Sequence, residues 1–150
     1  MADTGFKHSP LLVGLTEEQA KFLPAAGEHR SDVDGTIIVE QNAPSDCLYI
    51  LTGGAAQVEH RDDGKTVPLA RLKQVSEFFG EMSLIDMMPR SADIRARGLT
   101  SVMAFPKTGL TTVFTAGPRL QMTLILNISR TLSLRLREAD ARIVELSRQG

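Results

Sequence analysis

The middle of the chain, residues 29–107, is a series of short β-prone runs separated by turn residues, and this pattern limits the possible folds most strongly. The runs are residues 36–39, 47–51, 55–61, 66–72 and 101–105. The turns between them include Gly53-Gly54 and Asp63-Gly64. Asp63-Gly64 is typical of a type I′ hairpin, because both central residues of that turn take positive φ angles. Closely spaced short strands of this kind predict a β-sandwich or barrel.

Helical patterns flank the β-prone region on both sides. Thr16 precedes Gln19 by three residues, which is the spacing of a capping box at the start of a helix. Residues 108–115 form a short helical pattern, and Pro118 suits the first turn of the helix that follows. In that last segment apolar residues recur at spacings of three and four: Ile125, Ile128, Leu132, Leu136, Ala139, Ile143 and Leu146. The segment predicts one helix of ~45 Å, at ~1.5 Å per residue.

Composition excludes several classes of function. Seventeen basic and 18 acidic residues give a net charge of −1, which argues against binding to nucleic acid through its phosphates. No apolar run is long enough to enter a membrane, and Cys47 is the only cysteine, so we expect a cytoplasmic protein without disulfides. The three histidines lack metal-ligand spacing and no nucleophile elbow occurs. We therefore predict a protein that is not an enzyme and holds no cofactor or metal.

The most informative stretch is residues 79–96. It opens with Phe79-Gly80-Glu81-Met82-Ser83 and reaches Arg90-Ser91-Ala92 nine residues after Glu81. Singly, these residues have ordinary explanations: a Gly-Glu pair in a turn, or a surface ion pair worth about 0–1 kcal/mol. Their order and spacing together indicate a binding site.

This stretch resembles the phosphate-binding cassette of the cyclic nucleotide-binding domain family. The family includes bacterial catabolite-activator-type regulators, protein kinase regulatory subunits and cyclic-nucleotide-gated channels. Its pattern is Phe-Gly-Glu, a few mostly apolar residues, a short loop, and Arg-Ser/Thr/Ala-Ala. The resemblance extends over residues 10–149. It implies a mainly β (α+β) fold, namely a jelly-roll β-barrel over residues 29–107 with an N-terminal helix and C-terminal hinge and lid helices over residues 108–149. Residues 1–150 would then be one domain, either a stand-alone bacterial protein or part of a larger one.

The resemblance implies a role for each cassette residue, and the chemistry agrees. Arg90 is a permanently charged fork that can hold phosphate oxygens, and Glu81 can accept the hydrogen bond of the ribose 2′-OH. A helix starting at Gly80 would direct free N–H groups at the anion. The expected ligand-binding residues are Phe79, Gly80, Glu81, Met82, Ser83, Arg90, Ser91 and Ala92.

The same resemblance implies the ligand and the output. Relatives that prefer cyclic GMP (cGMP) often carry Thr after the cassette arginine, whereas this chain has Ser91, so we expect cyclic AMP (cAMP) to be favoured over cGMP. The last helix would close over the purine as a lid. Counting from Arg90 places Thr131 at the purine-contacting position, with Leu134 and Arg135 one turn further on.

Two loops depart from the family pattern. Residues 73–77 replace a Gly-rich turn before the cassette, and Gln41-Asn42 replaces another glycine. These changes concern loop shape, so we expect the ligand contacts to remain.

Two other functions fit the sequence. The chain can be an interaction module with an unused pocket, or the sensor half of a transcription regulator without its helix-turn-helix domain. The expected partners are the cyclic nucleotide and, through Ala139, Ile143 and Leu146 on the last helix, a weakly bound second copy or an effector domain.

Overall fold

The structure is a computed structural model that describes residues 9–44, 46–72, 77–81 and 88–149. Its strands are β1 (Glu28–Asp32), β2 (Ile37–Val39), β3 (Cys47–Asp62), β4 (Lys65–Leu72), β5 (Phe78–Phe79) and β6 (Asp93–Pro106). Its α-helices are α1 (Glu17–Phe22), α2 (Lys107–Ala116) and α3 (Pro118–Gln149), and 3-10 turns occur at Pro10–Leu12 and Pro24–Ala26.

The six strands of the described region form one antiparallel sheet with the order β1-β6-β3-β4. In addition, β2 pairs with β6 and β5 pairs with β3. Asp63 and Gly64 connect β3 to β4 with φ angles of 48° and 77°, which confirms the predicted hairpin. The predicted fold class, mainly β with flanking helices, is confirmed.

The first part of β3, residues 47–51, and the last part of β6, residues 102–105, are buried on both faces. Along β3, Leu48 and Ile50 pack in a cluster that includes Phe114 of α2 and Leu124 of α3, whereas Cys47, Tyr49 and Leu51 belong to a second cluster. A strand covered on both sides reads as a continuous apolar run, because side chains alternate between the two faces. Burial raises the pKa of the Cys47 thiol above its ordinary value of 9.0.

Gly53-Gly54, predicted as a turn between strands, lies inside β3. The pairing of β3 with β6 changes register on both sides of Gly53, and Gly54 has a φ of 77°. A Cβ at Gly54 would collide with the backbone of Leu99 and Thr100. The glycines therefore allow a long strand to bend against its neighbour, which is the structural use of glycine at a bulge.

The helices begin as the sequence predicts, and one buried amide joins α3 to the N-terminal segment. The Thr16–Gln19 capping box is present, and Pro118 is the first residue of α3, as predicted. Asn127 is only 3% exposed, and its Nδ2 donates to the carbonyl oxygens of Leu11 at 2.7 Å and Val13 at 2.8 Å. The N-terminal segment and α3 are thus held together.

The apolar stripe of α3 has two environments. Ile128 is fully buried, and Ile125 and Leu132 pack against the core. Further along, Ile143 and Leu146 are 61% and 54% exposed. The expected exposure of the distal half of this helix is confirmed.

Candidate functional site

A cavity of about 960 Å³ lies between the sheet and α3. Strands β2, β3, β4 and β6 contribute Val39, Val58, residues 69–72 and Ile94, and the cassette contributes residues 79–81 and 88–92. Helix α3 supplies Leu132, Arg135, Glu138, Ala139, Ala141, Arg142 and Glu145. The cavity therefore has an apolar wall of strand residues and a mostly charged wall on the helix. Its volume lies within the usual range of small-molecule sites, ~300–1,000 Å³.

The first cassette residues are placed by β5. Phe79 pairs with Tyr49 of β3, and the two rings stack with centroids 5.0 Å apart. Gly80 follows with a φ of 75°. A Cβ there would lie 2.8 Å from the Cys47 carbonyl oxygen and 2.9 Å from Arg90 Nη1, so this position requires glycine. Met82 and Ser83 lie outside the described residues.

Glu81 is a buried carboxylate on the cavity wall, 5% exposed. Its Oε1 accepts a hydrogen bond of 2.6 Å from Nη1 of Arg135. The same guanidinium donates through Nη2 to the carbonyl oxygen of Phe78 at 2.6 Å and lies 5.3 Å from the Phe78 ring centroid. Arg135 thus connects α3 to the start of the cassette by one ion pair, one further hydrogen bond and a cation–π contact.

Arg90 is the second buried charge of the cavity, 7% exposed. Its Nη1 donates to the Gly80 carbonyl oxygen at 2.9 Å and its Nη2 to the Cys47 carbonyl oxygen at 2.6 Å. The carboxylate of Asp46 lies 3.8 Å away. A guanidinium has more N–H donors than two carbonyls use, so Arg90 retains donors for an anion.

Ser91 and Ala92 complete the cassette side of the cavity. The carbonyl oxygen of Ser91 lies 3.3 Å from Nδ1 of His60, a residue near the end of β3. The structure therefore brings Phe79, Gly80 and Glu81 together with the Arg90-Ser91-Ala92 segment around one cavity.

The lid residues separate into two groups. Arg135 lines the cavity, whereas the described lining contains neither Thr131 nor Leu134, and Leu134 is 57% exposed. Sequence reasoning missed Glu138 and Arg142, which share the Arg135 face of α3. Glu138 lies three residues after Arg135 and Arg142 lies four residues after Glu138, so helical spacing would have identified both.

Among the described residues that line the cavity, positive and negative charges are equal in number. They comprise four arginines (Arg71, Arg90, Arg135, Arg142) and four glutamates (Glu77, Glu81, Glu138, Glu145). Among the described residues no group of His, Cys, Asp and Glu can hold a metal ion. None of the helices in the described part of the chain is long and apolar enough to cross a membrane.

Comparison with known proteins identifies the class to which this fold and cavity belong. The family model of the cyclic nucleotide-binding domain matches residues 33–116, and the chain belongs to this family.

Individual relatives then show where such a domain occurs. The chain is 31% identical over 110 residues to the cAMP-dependent protein kinase regulatory subunit of Aspergillus fumigatus, covering 73% of this chain and 26% of the relative. It is 30% identical over 140 residues to Glutaminase 1 of Bradyrhizobium diazoefficiens, covering 93% and 22%. The Thermus thermophilus catabolite activator protein has a TM-score of 0.76 and 30% identity, with 93% and 63% covered. The chain thus spans about a quarter of the first two relatives and under two thirds of the third.

Proposed function

We propose that this chain is a non-catalytic sensor domain that binds cyclic AMP in the cavity beside the cassette, with cyclic GMP as a weaker ligand. The observation that carries the proposal is the pair of buried, oppositely charged side chains on one cavity wall, Glu81 and Arg90. Buried charges are costly unless they are paired or serve a ligand. Glu81 is paired with Arg135, whereas the described partners of Arg90 are two carbonyl oxygens and the exposed Asp46 carboxylate 3.8 Å away, so the buried charge of Arg90 favours an anionic ligand. A ribose cyclic phosphate needs both an acceptor for its hydroxyl and a cation for its phosphate.

The phosphate end of the ligand is assigned to Arg90 and its neighbours. The two carbonyl oxygens that hold its guanidinium, those of Gly80 and Cys47, fix the orientation of the fork. The remaining N–H donors then hold the phosphate oxygens, and the backbone of Ala92 adds a donor without a bulky side chain. The apolar strand wall, with Val39, Val58 and Ile94, is suited to the flat faces of the sugar and base.

The signal is assigned to α3. Its Arg135 holds Glu81, the residue proposed to accept the 2′-OH hydrogen bond. A ribose hydroxyl on Glu81 changes the environment of this ion pair and therefore the docking of the helix. A ligand shifts such an equilibrium only through contacts that differ between the two helix positions. Thr131 and Leu134 remain proposed lid residues only for a helix position other than the one in this structure.

The output partner is proposed to bind the distal half of α3. Leu136, Ile143 and Leu146 are 63%, 61% and 54% exposed, an apolar series that water solvates poorly. A second copy of the chain or an effector domain would cover them. Similarity to the catabolite activator protein favours a transcription regulator as the second candidate for the whole protein.

Calorimetric titration with cyclic AMP and cyclic GMP tests the proposal. Wild-type protein should bind both, cyclic AMP more tightly. Arg90→Ala should weaken binding by at least about tenfold, because hydrogen bonds to charged groups contribute about 1.5–3 kcal/mol. Arg130→Ala, which removes an exposed arginine of α3, is the matched control and should bind as wild type does. A folded wild type that binds neither nucleotide would leave the interaction-module function in its place.

A further inference from the structure

Asp93 is a buried charge that lies outside the cavity and has no role in the proposed ligand contacts. Asp93, at the start of β6, has no exposed surface. Its Oδ1 accepts a 2.7 Å hydrogen bond from the backbone N–H of Gln41. Arg61 Nε lies 2.8 Å from Oδ2 in an ion pair whose geometry is not that of a hydrogen bond. Arg61 Nη2 donates a hydrogen bond of 3.3 Å to Oδ1. Asp93 therefore joins the end of β3 to the loop after β2.

The side chain of Gln41 strengthens the same connection. Its Oε1 accepts from the Arg61 backbone N–H at 2.7 Å, and its Nε2 donates to the Arg61 carbonyl oxygen at 3.0 Å. The amide thus pairs with both polar backbone groups of Arg61, as a neighbouring strand residue would. We call Gln41, Arg61 and Asp93 the Asp93 cluster.

The loop held by this cluster is hydrogen-bonded to the backbone of Arg90. Asn42 N–H donates to the Arg90 carbonyl oxygen at 2.8 Å, and Arg90 N–H donates to the Ala43 carbonyl oxygen at 2.9 Å. Asn42 has a φ of 70°, a left-handed conformation that asparagine tolerates better than most residues. Both backbone polar groups of Arg90 are therefore satisfied by the loop that Asp93 holds in place.

We propose that Asp93 is a positioning residue for the phosphate-binding arginine, acting through Gln41 and the loop at residues 41–43. The inference rests on the proposed function, since it assigns Asp93 to the affinity of that same site. A fork that must meet phosphate oxygens tolerates little displacement, and loss of the Asp93 charge weakens its hold on the Arg61 guanidinium and so loosens the loop that is bonded to Arg61.

Asp93→Asn is the direct test, because asparagine keeps the shape and an acceptor for the Gln41 N–H but loses the charge that holds Arg61. We expect about tenfold weaker binding of cyclic AMP by calorimetry. The control is Glu59→Gln. Glu59 is opposite Asp93 in the β3–β6 pairing, is 2% exposed, and pairs with Arg95 at 3.2 Å and Arg97 at 2.9 Å.

A purely structural role and a positioning role give different results. Glu59→Gln should lower the melting temperature about as much as Asp93→Asn, yet its dissociation constant should stay within about twofold of wild type. The ratio of cyclic AMP to cyclic GMP affinity should not change in Asp93→Asn, because the cluster acts at the phosphate end that both ligands share.

Each remaining outcome is decisive. Folded Asp93→Asn protein that binds cyclic AMP within about twofold of wild type overturns the positioning role while leaving the proposed function intact. Equal losses of affinity in Asp93→Asn and Glu59→Gln overturn it as well. If Asp93→Asn does not fold, Gln41→Ala on the half-exposed loop takes its place, with about threefold weaker binding expected and none observed as the refuting result. Wild-type protein that binds neither nucleotide removes the proposed function and this inference together.

Discussion

Replacing Arg135 with glutamine should release the distal part of α3 from the cassette. The wild-type guanidinium makes two hydrogen bonds of 2.6 Å, to Glu81 and to the carbonyl oxygen of Phe78, and packs over the Phe78 ring. Glutamine is too short to reproduce the fork and carries no charge. The helix then loses its ionic connection to the cavity wall.

The size of the effect follows from the exposure of the two partners. A hydrogen bond to a charged group contributes about 1.5–3 kcal/mol when it is desolvated. The Arg135 side chain is 32% exposed, whereas that of Glu81 is 6% exposed, so solvent screening reduces the contribution. We expect a loss of about 1–2 kcal/mol in the docking of α3, which corresponds to an about 5–30-fold larger equilibrium population of the undocked helix.

Hydrogen exchange measured by mass spectrometry reports the local unfolding of α3 that undocking makes easier. Backbone amides of residues 135–149 should exchange faster in Arg135→Gln, by at most that factor because the hydrogen bonds within the helix must also open, and added cyclic AMP should alter their exchange less than in wild type. Arg142→Gln removes a positive charge from the same cavity-lining face of α3 and serves as the control. Identical exchange in Arg135→Gln, Arg142→Gln and wild-type protein would refute the connection between Arg135 and helix docking.

Three further predictions concern the sugar, the pH dependence and the helix. Glu81→Gln should weaken cyclic AMP binding less than Arg90→Ala, and wild-type protein should bind a 2′-deoxy cyclic nucleotide poorly in calorimetry; equal affinity for the deoxy ligand contradicts the role of Glu81. Since burial raises the Cys47 pKa, the contribution of the protonated thiol to the free energy of unfolding should be fully present below about pH 9 and decline above it. In urea unfolding, Cys47→Ala should therefore show a smaller loss of stability at high pH than wild type does. Sedimentation should show concentration-dependent association that Ile143→Asp abolishes; a monomer at every concentration excludes the second copy as partner.

The fold was predictable wherever local chemistry decides it. The Thr16 capping box, the Asp63-Gly64 hairpin and the start of α3 at Pro118 depend on residues within a few positions of one another. Strand length was less predictable. The part of β6 before residue 101 contains Arg95, Arg97 and Gly98, which do not form a β-prone run. Its pairing with β3 and the buried partner Glu59 keep it extended, and such contacts are invisible to a local pattern.

The candidate site was likewise predictable only where residues close in sequence carry it. The order Gly-Glu followed by Arg-Ser-Ala located the cavity wall because a short segment carries it. The lid depended on helix register, where a shift of one residue rotates a side chain by ~100°. Thr131 and Arg135 were both predicted as lid residues. Of these two, Arg135 lines the cavity in the described structure, together with other residues on its face of α3 such as Glu138. The Asp93 cluster joins residues 41, 61 and 93, and no sequence spacing indicates their contact.

Under the proposed function, the Glu81–Arg135 pair also limits how strong a signal through α3 can be. A ligand moves a helix equilibrium only by the difference between its affinities for the two helix positions. If that difference resides mainly in one partly exposed ion pair, it is about 1–2 kcal/mol, a shift of about 5–30-fold. A nearly complete switch from one state to the other needs about 5.5 kcal/mol. The remainder must come from contacts made by α3 after it moves, and its exposed residues Leu136, Ile143 and Leu146 are suited to provide them. The chain alone should therefore move the helix in only part of its molecules when ligand binds. A partner on the distal helix should make that shift in population more complete.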